Sequence, residues 1–116
     1  MNVEYFRDYC IAKRGVSESF PFDENVLVFK VMGKMFALAN INDFQGINLK
    51  SNPENALDLR EKYLGIRPGY HMSKKHWNTV SVNEDVPTKF ICMLIDESYN
   101  LVVSKLSLKQ KQELNG

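Results

Sequence analysis

The most chemically suggestive stretch of the sequence is the segment 69–79, which reads GYHMSKKHWNT. It combines two lysines, two rings and an amide, supplied by Lys74, Lys75, His76, Trp77 and Asn78. Lysines neutralise DNA phosphates, aromatic rings stack on bases, and an Asn side chain can form paired hydrogen bonds with adenine. A structural role explains the same residues, because Tyr70 and Trp77 can anchor the loop while the lysines keep it soluble. The sequence leaves both interpretations open.

Three further lysines, Lys30, Lys34 and Lys50, fall in segments with the alternating pattern of β-strands. The predicted register places Lys30 and Lys50 on one outer face of a sheet, with Lys34 at a hairpin turn. Lysines in this arrangement can contact nucleic-acid phosphates. Lysines on exposed strands also discourage edge-to-edge pairing of sheets, which is a structural reason for the same pattern.

Known catalytic and metal-binding patterns are absent from the sequence, which has no dinucleotide-binding, phosphate-loop, zinc-protease or nucleophile-elbow motif. Cys10 and Cys92 lie in apolar segments, where thiols usually pack as inert groups. His71 and His76 are five residues apart in a predicted loop, which is not the spacing of a zinc-binding helical pair. We therefore predict no catalytic residue, no metal site and no cofactor. Loop histidines are common catalytic groups, so an unusual active site around these two remains an alternative.

Apolar residues at helical spacing predict three main helices and a short fourth one. The predicted segments are 3–13, 52–65, 87–106 and a last helix that begins with a capping box of Ser107 and Gln110. Asn52 and Pro53 supply the cap and the first position of the second helix. The third segment is so apolar that we expect it to be enclosed on more than one side.

Alternating patterns predict four strands, over 26–32, 35–40, 46–50 and 77–82, with 16–25 as a packed connector and 66–76 as a loop. Gly33 and Lys34 form the predicted two-residue type II′ turn of a hairpin, which pairs Met32 with Met35. The expected core side of this hairpin carries Leu27, Phe29, Val31, Phe36 and Leu38. The expected outer side carries Val28, Lys30, Met32, Met35, Ala37 and Ala39.

The composition describes one ordinary domain over residues 1–116, with 44% hydrophobic and 25% charged residues. Fifteen Lys and Arg against fourteen Asp and Glu give a net charge of +1, so any binding to nucleic acid must come from a local patch. No apolar run reaches the roughly 18 residues of a membrane span, and the acidic residues Glu4 and Asp8 do not fit a signal peptide. We expect a cytoplasmic protein without membrane contact.

Several strings in the sequence carry a family resemblance. They are Phe20-Pro21-Phe22, the hairpin 27–38, Ile47-Asn48-Leu49-Lys50, Pro68-Gly69-Tyr70-His71-Met72 and Lys74-Lys75-His76-Trp77-Asn78-Thr79-Val80. Together they resemble the MmcQ/YjbR family of small bacterial proteins, over about residues 5–106. The resemblance implies a CyaY-like α+β fold, in which helices cover one face of an antiparallel sheet. This agrees with our own order of helix, three strands, helix, strand and helix, followed by a short C-terminal helix.

The same resemblance implies a non-enzymatic DNA-binding protein with a double-wing motif. One wing maps to the hairpin around Gly33 and Lys34, and the other to the segment 74–77. The implied DNA-contacting residues are Lys30, Lys34, Lys50, Lys74 and Lys75, with His76, Trp77 and Asn78 positioning the second wing. Iron binding of the frataxin type is not expected, because the first helix is not rich in acids. The alternative function is a protein or peptide interaction module that uses Val28, Met32, Met35 and Ala37 on the outer sheet face.

Overall fold

Helices and strands from the whole chain build one sheet with helices on one side in the computed structural model, which describes residues 1–116. The helices are α1 (Val3–Ile11), α2 (Pro53–Lys62), α3 (Thr88–Ser104) and α4 (Leu108–Asn115). The strands are β1 (Val16–Ser19), β2 (Val26–Val31), β3 (Lys34–Asn40), β4 (Gly46–Lys50), β5 (Ile66–Pro68) and β6 (Trp77–Ser81). The six strands pair in the antiparallel order β1-β2-β3-β4-β6-β5. The predicted α+β class is confirmed.

Two short strands were not predicted from the sequence. β1 lies within the expected connector and pairs Val16 with Val31, whereas β5 lies within the expected loop and pairs Ile66 with Val80. Both are edge strands of three or four residues. Each is held as a strand by hydrogen bonds to one neighbouring strand. Segments this short have no alternating pattern from which a strand could be predicted.

The helix starts agree with the capping residues that the sequence contains. The side chain of Asn52 accepts a hydrogen bond from the backbone N–H of Asn55 at 2.9 Å, and Pro53 opens α2. Ser107 and Gln110 form the reciprocal bonds of a capping box at α4. These contacts satisfy backbone donors that a helix start leaves free, so they fix the position at which each helix begins.

The turn of the β2–β3 hairpin lies one residue earlier than predicted. Its two central residues are Met32 and Gly33, with φ of 49° and 81°, and Val31 pairs directly with Lys34. Two successive positive φ angles are typical of a type I′ turn, which matches the twist of paired strands, so the predicted type II′ turn is wrong. Lys34 is therefore the first residue of β3 and not part of the turn.

A β-bulge in β3 changes which side chains face the core. Lys30 pairs with Met35 but Phe29 pairs with Ala37, so Phe36 is the extra residue. An extra residue shifts the alternation of every side chain beyond it. The predictions that Leu38 faces the core and that Ala37 and Ala39 face outward are therefore wrong, because the two alanines belong to the main core and Leu38 to the opposite face.

The main core lies between the sheet and the helices α1 and α3. Phe6 of α1 contacts Phe29 of β2 edge to face, with ring centroids 5.3 Å apart, and both rings are fully buried. Ser98 of α3 donates to the carbonyl of Phe36 and accepts from the backbone N–H of Lys50, at 2.5 and 2.9 Å. This buried hydroxyl ties α3 to β3 and β4. One face of the sheet is thus covered by helices, and the other is the open face.

None of the four helices combines the length and the apolar composition that crossing a bilayer requires.

Candidate functional site on the open face of the sheet

The open face carries a small apolar cluster of its own. Val28, Leu38 and Trp77 pack together there, and Met72 from the loop between β5 and β6 packs against them. The Trp77 side chain is only 7% exposed. Trp77 therefore anchors the loop, as the structural interpretation of the segment 69–79 expects, and its ring is not free to stack on a base.

Asn78 is buried on the other side of the same strand. It is 2% exposed, its Nδ2 donates to the carbonyl of Ala56 at 3.2 Å, and its Oδ1 accepts from Arg60 Nε at 2.7 Å. Arg60 also donates to the backbone carbonyl of Lys74. Every polar atom of the Asn78 side chain thus has a partner inside the protein, and Asn78 fixes α2 against β6 and the loop.

Lys74 is held within its own loop. Its ammonium group donates to the carbonyl of Gly69 at 3.0 Å, and the N–H of Gly69 donates to the carbonyl of Trp77 at 2.9 Å. A Cβ atom on Gly69 would lie 2.7 Å from the Cβ of Trp77, so a side chain at residue 69 would not fit without movement. Lys74 therefore links the two ends of the loop between β5 and β6 through its hydrogen bond to Gly69.

Lys30, Lys50 and Lys75 lie at one end of the open face, which we call the basic end. Lys50 pairs with Trp77 across β4 and β6, and Lys30 shares its side of β2 with Val28. Lys75 is exposed in the turn before β6, and the N–H of Ser51 holds that turn by donating to the carbonyl of His76 at 2.8 Å. No carboxylate lies within 4.0 Å of these three ammonium groups.

The remaining predicted wing residues take different positions. Lys34 pairs with Val31, whose side chain is in the main core, so the register directs Lys34 toward the helical side of the sheet. His76 is exposed in the same turn as Lys75. Lys30, Lys50 and Lys75 thus lie toward one end of the sheet, whereas Lys34 is directed to its helical side and Lys74 donates within its own loop.

A cavity of about 620 Å³ occupies the opposite end of the open face, and we call it the open-face cavity. It lies where β2 and β4 begin and β3 ends, whereas Lys30 and Lys50 lie near the other ends of β2 and β4. Its apolar and aromatic lining comes from Phe22, Val26, Leu38, Ala39, Tyr70 and Met72. Its charged or titratable lining comes from Asp23, Asp43 and His71.

The wall formed by residues 70–72 is fixed through its backbone. Tyr70 donates from its N–H to Thr79 Oγ1 at 2.9 Å, and its carbonyl accepts from Asn48 Nδ2 at 3.2 Å. The hydroxyl of Thr79 in turn donates to Asn48 Oδ1. His71 has a positive φ of 58°, and its ring centroid lies 4.0 Å from that of Tyr70.

The structure corrects the expectation that the ring of Tyr70 anchors this loop, because Tyr70 is 69% exposed. From the sequence, the only chemical role considered for His71 was that of a catalytic or metal-binding histidine beside His76. In the structure His71 lines the open-face cavity and His76 does not. The cavity itself was not foreseen, because its lining comes from segments that are distant in sequence.

The two thiols are buried away from the open face. Burial raises the pKa of Cys10 to about 12, and the sulfur of Cys92 lies 3.7 Å from the hydroxyl of Tyr5. Both cysteines are free. The histidines, cysteines and carboxylates form no group of three or more that could hold a metal ion.

The fold and the site together define a small α+β protein whose sheet exposes one face, with a basic end and a cavity. The family model described as YjbR matches residues 11–101, and the chain belongs to the YjbR family. It is 31% identical over 115 residues to the uncharacterized protein YjbR of Escherichia coli K12, covering 98% of both chains. It is also 38% identical over 96 residues to the uncharacterized protein YbdF of Escherichia coli O157:H7, covering 82% of this chain and 79% of YbdF.

Solved structures of similar proteins share the fold. The Deinococcus radiodurans protein DR2400, of domain family DUF419, matches with a TM-score of 0.91 and 37% identity, over 98% of this chain and 88% of that protein. A Pseudomonas syringae protein matches with a TM-score of 0.73 and 34% identity, over 87% of this chain and 98% of its own. These similarities establish the family and the fold.

Proposed function

We propose that this protein binds DNA weakly and without catalysing a reaction, through phosphate contacts at the basic end. The observation that carries this proposal is that Lys30, Lys50 and Lys75 lie at the same end of the open face with no carboxylate partner. Ammonium groups that are not neutralised within the protein are available to displace counterions from a phosphate backbone. The cytoplasm, which the sequence predicts as the compartment, is part of the same proposal.

The distribution of charge limits the area that DNA can cover. Asp23 and Asp43 lie at the opposite end of the open face, in the lining of the open-face cavity. Their carboxylates repel phosphates, so we expect the backbone to cross only the basic end. Three phosphate contacts give a weak complex, and its affinity should fall with a log-log salt slope of about −3.

The positions of Trp77 and Asn78 favour sequence-tolerant binding. Trp77 is 7% exposed and Asn78 is 2% exposed, so neither side chain presents a surface that can reach a base. Base edges are read by side chains that enter a groove, whereas phosphate contacts carry no direct sequence information. In this proposal the two residues position the turn that carries Lys75 and do not contact DNA.

The alternative of a protein-binding outer face has less support. Two of its four apolar residues, Val28 and Ala37, are fully buried, and Ala37 faces the main core. Met32, predicted on the outer face, packs against the main core, and Met35 is half-buried, so the apolar surface that remains is small.

The test is a fluorescence-anisotropy titration of a labelled duplex DNA at two salt concentrations. The test variant changes Lys30→Gln, Lys50→Gln and Lys75→Gln. The control variant changes three exposed lysines on the helices α3 and α4 or between them, Lys89→Gln, Lys105→Gln and Lys109→Gln. The two variants have the same net charge, so a difference between them reports where the charge lies. Circular dichroism establishes that all three proteins are folded.

We expect the control variant to retain at least half of the wild-type affinity and the wild-type salt slope. The test variant should bind DNA more weakly and lose the salt dependence. Three lost contacts should weaken binding by about tenfold or more at low salt. Equal losses in the two variants would show that only net charge matters and would overturn the assignment to the basic end. If wild-type protein does not bind DNA even at low salt, the proposed function is wrong.

A further inference from the structure

We propose that the open-face cavity binds a small organic cation, meaning an amine or guanidine attached to a flat apolar body. This site is separate from the basic end and has the opposite charge. It also gives a role to Tyr70-His71-Met72, the part of the 69–79 segment that the proposed DNA contacts do not use.

The cavity has the size and lining of a small-molecule site. Its volume of about 620 Å³ lies within the range of roughly 300–1,000 Å³ found for ligand pockets. Leu38 and Val26 supply apolar side chains from the sheet. Phe22 and Tyr70 line it from two different loops and are 63% and 69% exposed. Two exposed rings beside an apolar surface favour a flat ligand that can stack.

The charge of the lining is negative. Asp23 and Asp43 are its only Asp, Glu, Lys or Arg residues, and no basic side chain lies within 4.0 Å of either carboxylate. The hydrogen bonds that Asp23 accepts, from the N–H groups of Asn25 and Val26, use its Oδ1 atom. The bond that Asp43 accepts from Gln45 also uses Oδ1. The Oδ2 atom of each carboxylate is left for a ligand that donates.

Most hydrogen-bonding atoms of the amide side chains in the lining, in contrast, are already used within the protein. Asn48 donates to the Tyr70 carbonyl and accepts from Thr79. Asn40 accepts through Oδ1 from two backbone N–H groups, and Gln45 accepts from Asn83 and donates to Asp43. Amides that are engaged in this way are poorly placed to read the edge of a nucleobase. The Oδ2 atoms of Asp23 and Asp43 have no partner within the protein and the rings of Phe22 and Tyr70 are exposed, and both kinds of group attract cations.

The test uses tryptamine as the cationic probe and indole-3-propionate as a probe with the same ring and a negative charge. Adenosine serves as a flat base without a positive charge. Each probe is titrated into ¹⁵N-labelled full-length protein while the amide signals of Asn48, Tyr70, His71 and Thr79 are followed by NMR. The test variant carries Asp23→Asn and Asp43→Asn, which keep the Oδ1 acceptors that hold the loops. The control variant carries Asp58→Asn and Glu113→Gln on exposed helix surfaces and has the same net charge.

We expect tryptamine to shift the cavity signals saturably, with a dissociation constant near 1 mM and at least about tenfold tighter than that of indole-3-propionate. The test variant should bind tryptamine about fivefold more weakly, and the control variant should bind it like wild type. Four results would each overturn the proposal: no saturable shift below about 10 mM, equal binding of the two indoles, equal weakening in both variants, or tighter binding of adenosine. No lysine is changed, so the outcome is independent of whether the protein binds DNA.

Discussion

Arg60 of α2 and Asn78 of β6 form a hydrogen bond of 2.7 Å that connects the helical side of the sheet to the loop on its open face. The same guanidinium group donates to the carbonyl of Lys74, and the Asn78 amide donates to Ala56. One polar cluster therefore joins α2, β6 and the loop between β5 and β6. The geometry of the basic end depends on this cluster, although neither residue contacts a ligand in our proposals.

Replacing Asn78 with Ala should destabilise the protein by about 2 kcal/mol, because it leaves buried polar groups of Arg60 and Ala56 without a partner. Chemical denaturation followed by circular dichroism measures this change. Asn55→Ala, at an exposed position of α2, is the control and should stay within about 0.5 kcal/mol of wild type. If the two variants are equally stable, the cluster is not a stabilising element.

Replacing Gly33 with Ala should destabilise the hairpin by about 1 kcal/mol. Gly33 has a φ of 81°, which is costly for a residue with a Cβ atom, although no neighbouring atom lies within 4 Å of the added methyl group. The loss therefore reports backbone strain and not a collision. Lys34→Ala, at the next residue, should be nearly neutral. A neutral Gly33→Ala variant would contradict the type I′ turn.

Lys50 should contribute more to DNA binding than Lys34. The register directs Lys50 to the open face, whereas Lys34 pairs with Val31 and is directed to the helical side. In the proposed complex, Lys50→Gln should reduce the salt slope by about 1 and Lys34→Gln should leave it unchanged. Anisotropy titrations of the two single variants, which have equal net charge, measure this difference. A larger effect of Lys34→Gln would place the DNA at the hairpin tip.

The stability of the protein should depend on Asp85 at acidic pH. Backbone N–H groups of Gly65 and Leu64 donate to its carboxylate at 2.7 and 2.8 Å, and these bonds lower the pKa of Asp85 below its ordinary value of 3.8. A lowered pKa in the folded state gives stability that is complete above about pH 4 and is lost as the pH falls toward the folded-state pKa. Asp85→Asn should therefore be less stable than wild type at pH 7, with the gap narrowing below pH 4. Denaturation curves at several pH values test this, and a gap that is constant with pH would contradict it.

The thiol of Cys10 should resist alkylation in the folded protein. Burial raises its pKa to about 12, so at pH 8 its thiolate population is roughly 10³-fold smaller than that of an ordinary cysteine. Iodoacetamide labelling of a Cys92→Ser variant, followed by mass spectrometry, isolates this one thiol. Labelling should be slow in buffer and fast in denaturant. Fast labelling of the folded variant would show that α1 opens readily from the sheet.

Local chemistry in the sequence determined much of the fold. Asn52 with Pro53 and the Ser107–Gln110 pair predicted two helix starts, because caps act on neighbouring backbone groups. The alternation of apolar residues predicted the four longer strands, and Trp77 was correctly considered as an anchor. The family strings in segments 68–72 and 74–80 predicted the family that the comparisons show.

Pairing between segments that are distant in sequence determined the features that the sequence did not predict. The bulge at Phe36 depends on how β2 and β3 pair. It places Leu38 on the open face, although large and small apolar residues alternate without a break over residues 36–39. The edge strands β1 and β5 exist because a neighbouring strand offers hydrogen bonds. The open-face cavity exists because Phe22, Asp43 and Tyr70 come together from three different loops. The ammonium group of Lys74 has a hydrogen-bond partner because the loop places the carbonyl of Gly69 next to it, and no such contact forms at Lys50. These are relations between residues far apart in the chain, so only the tertiary structure could decide them.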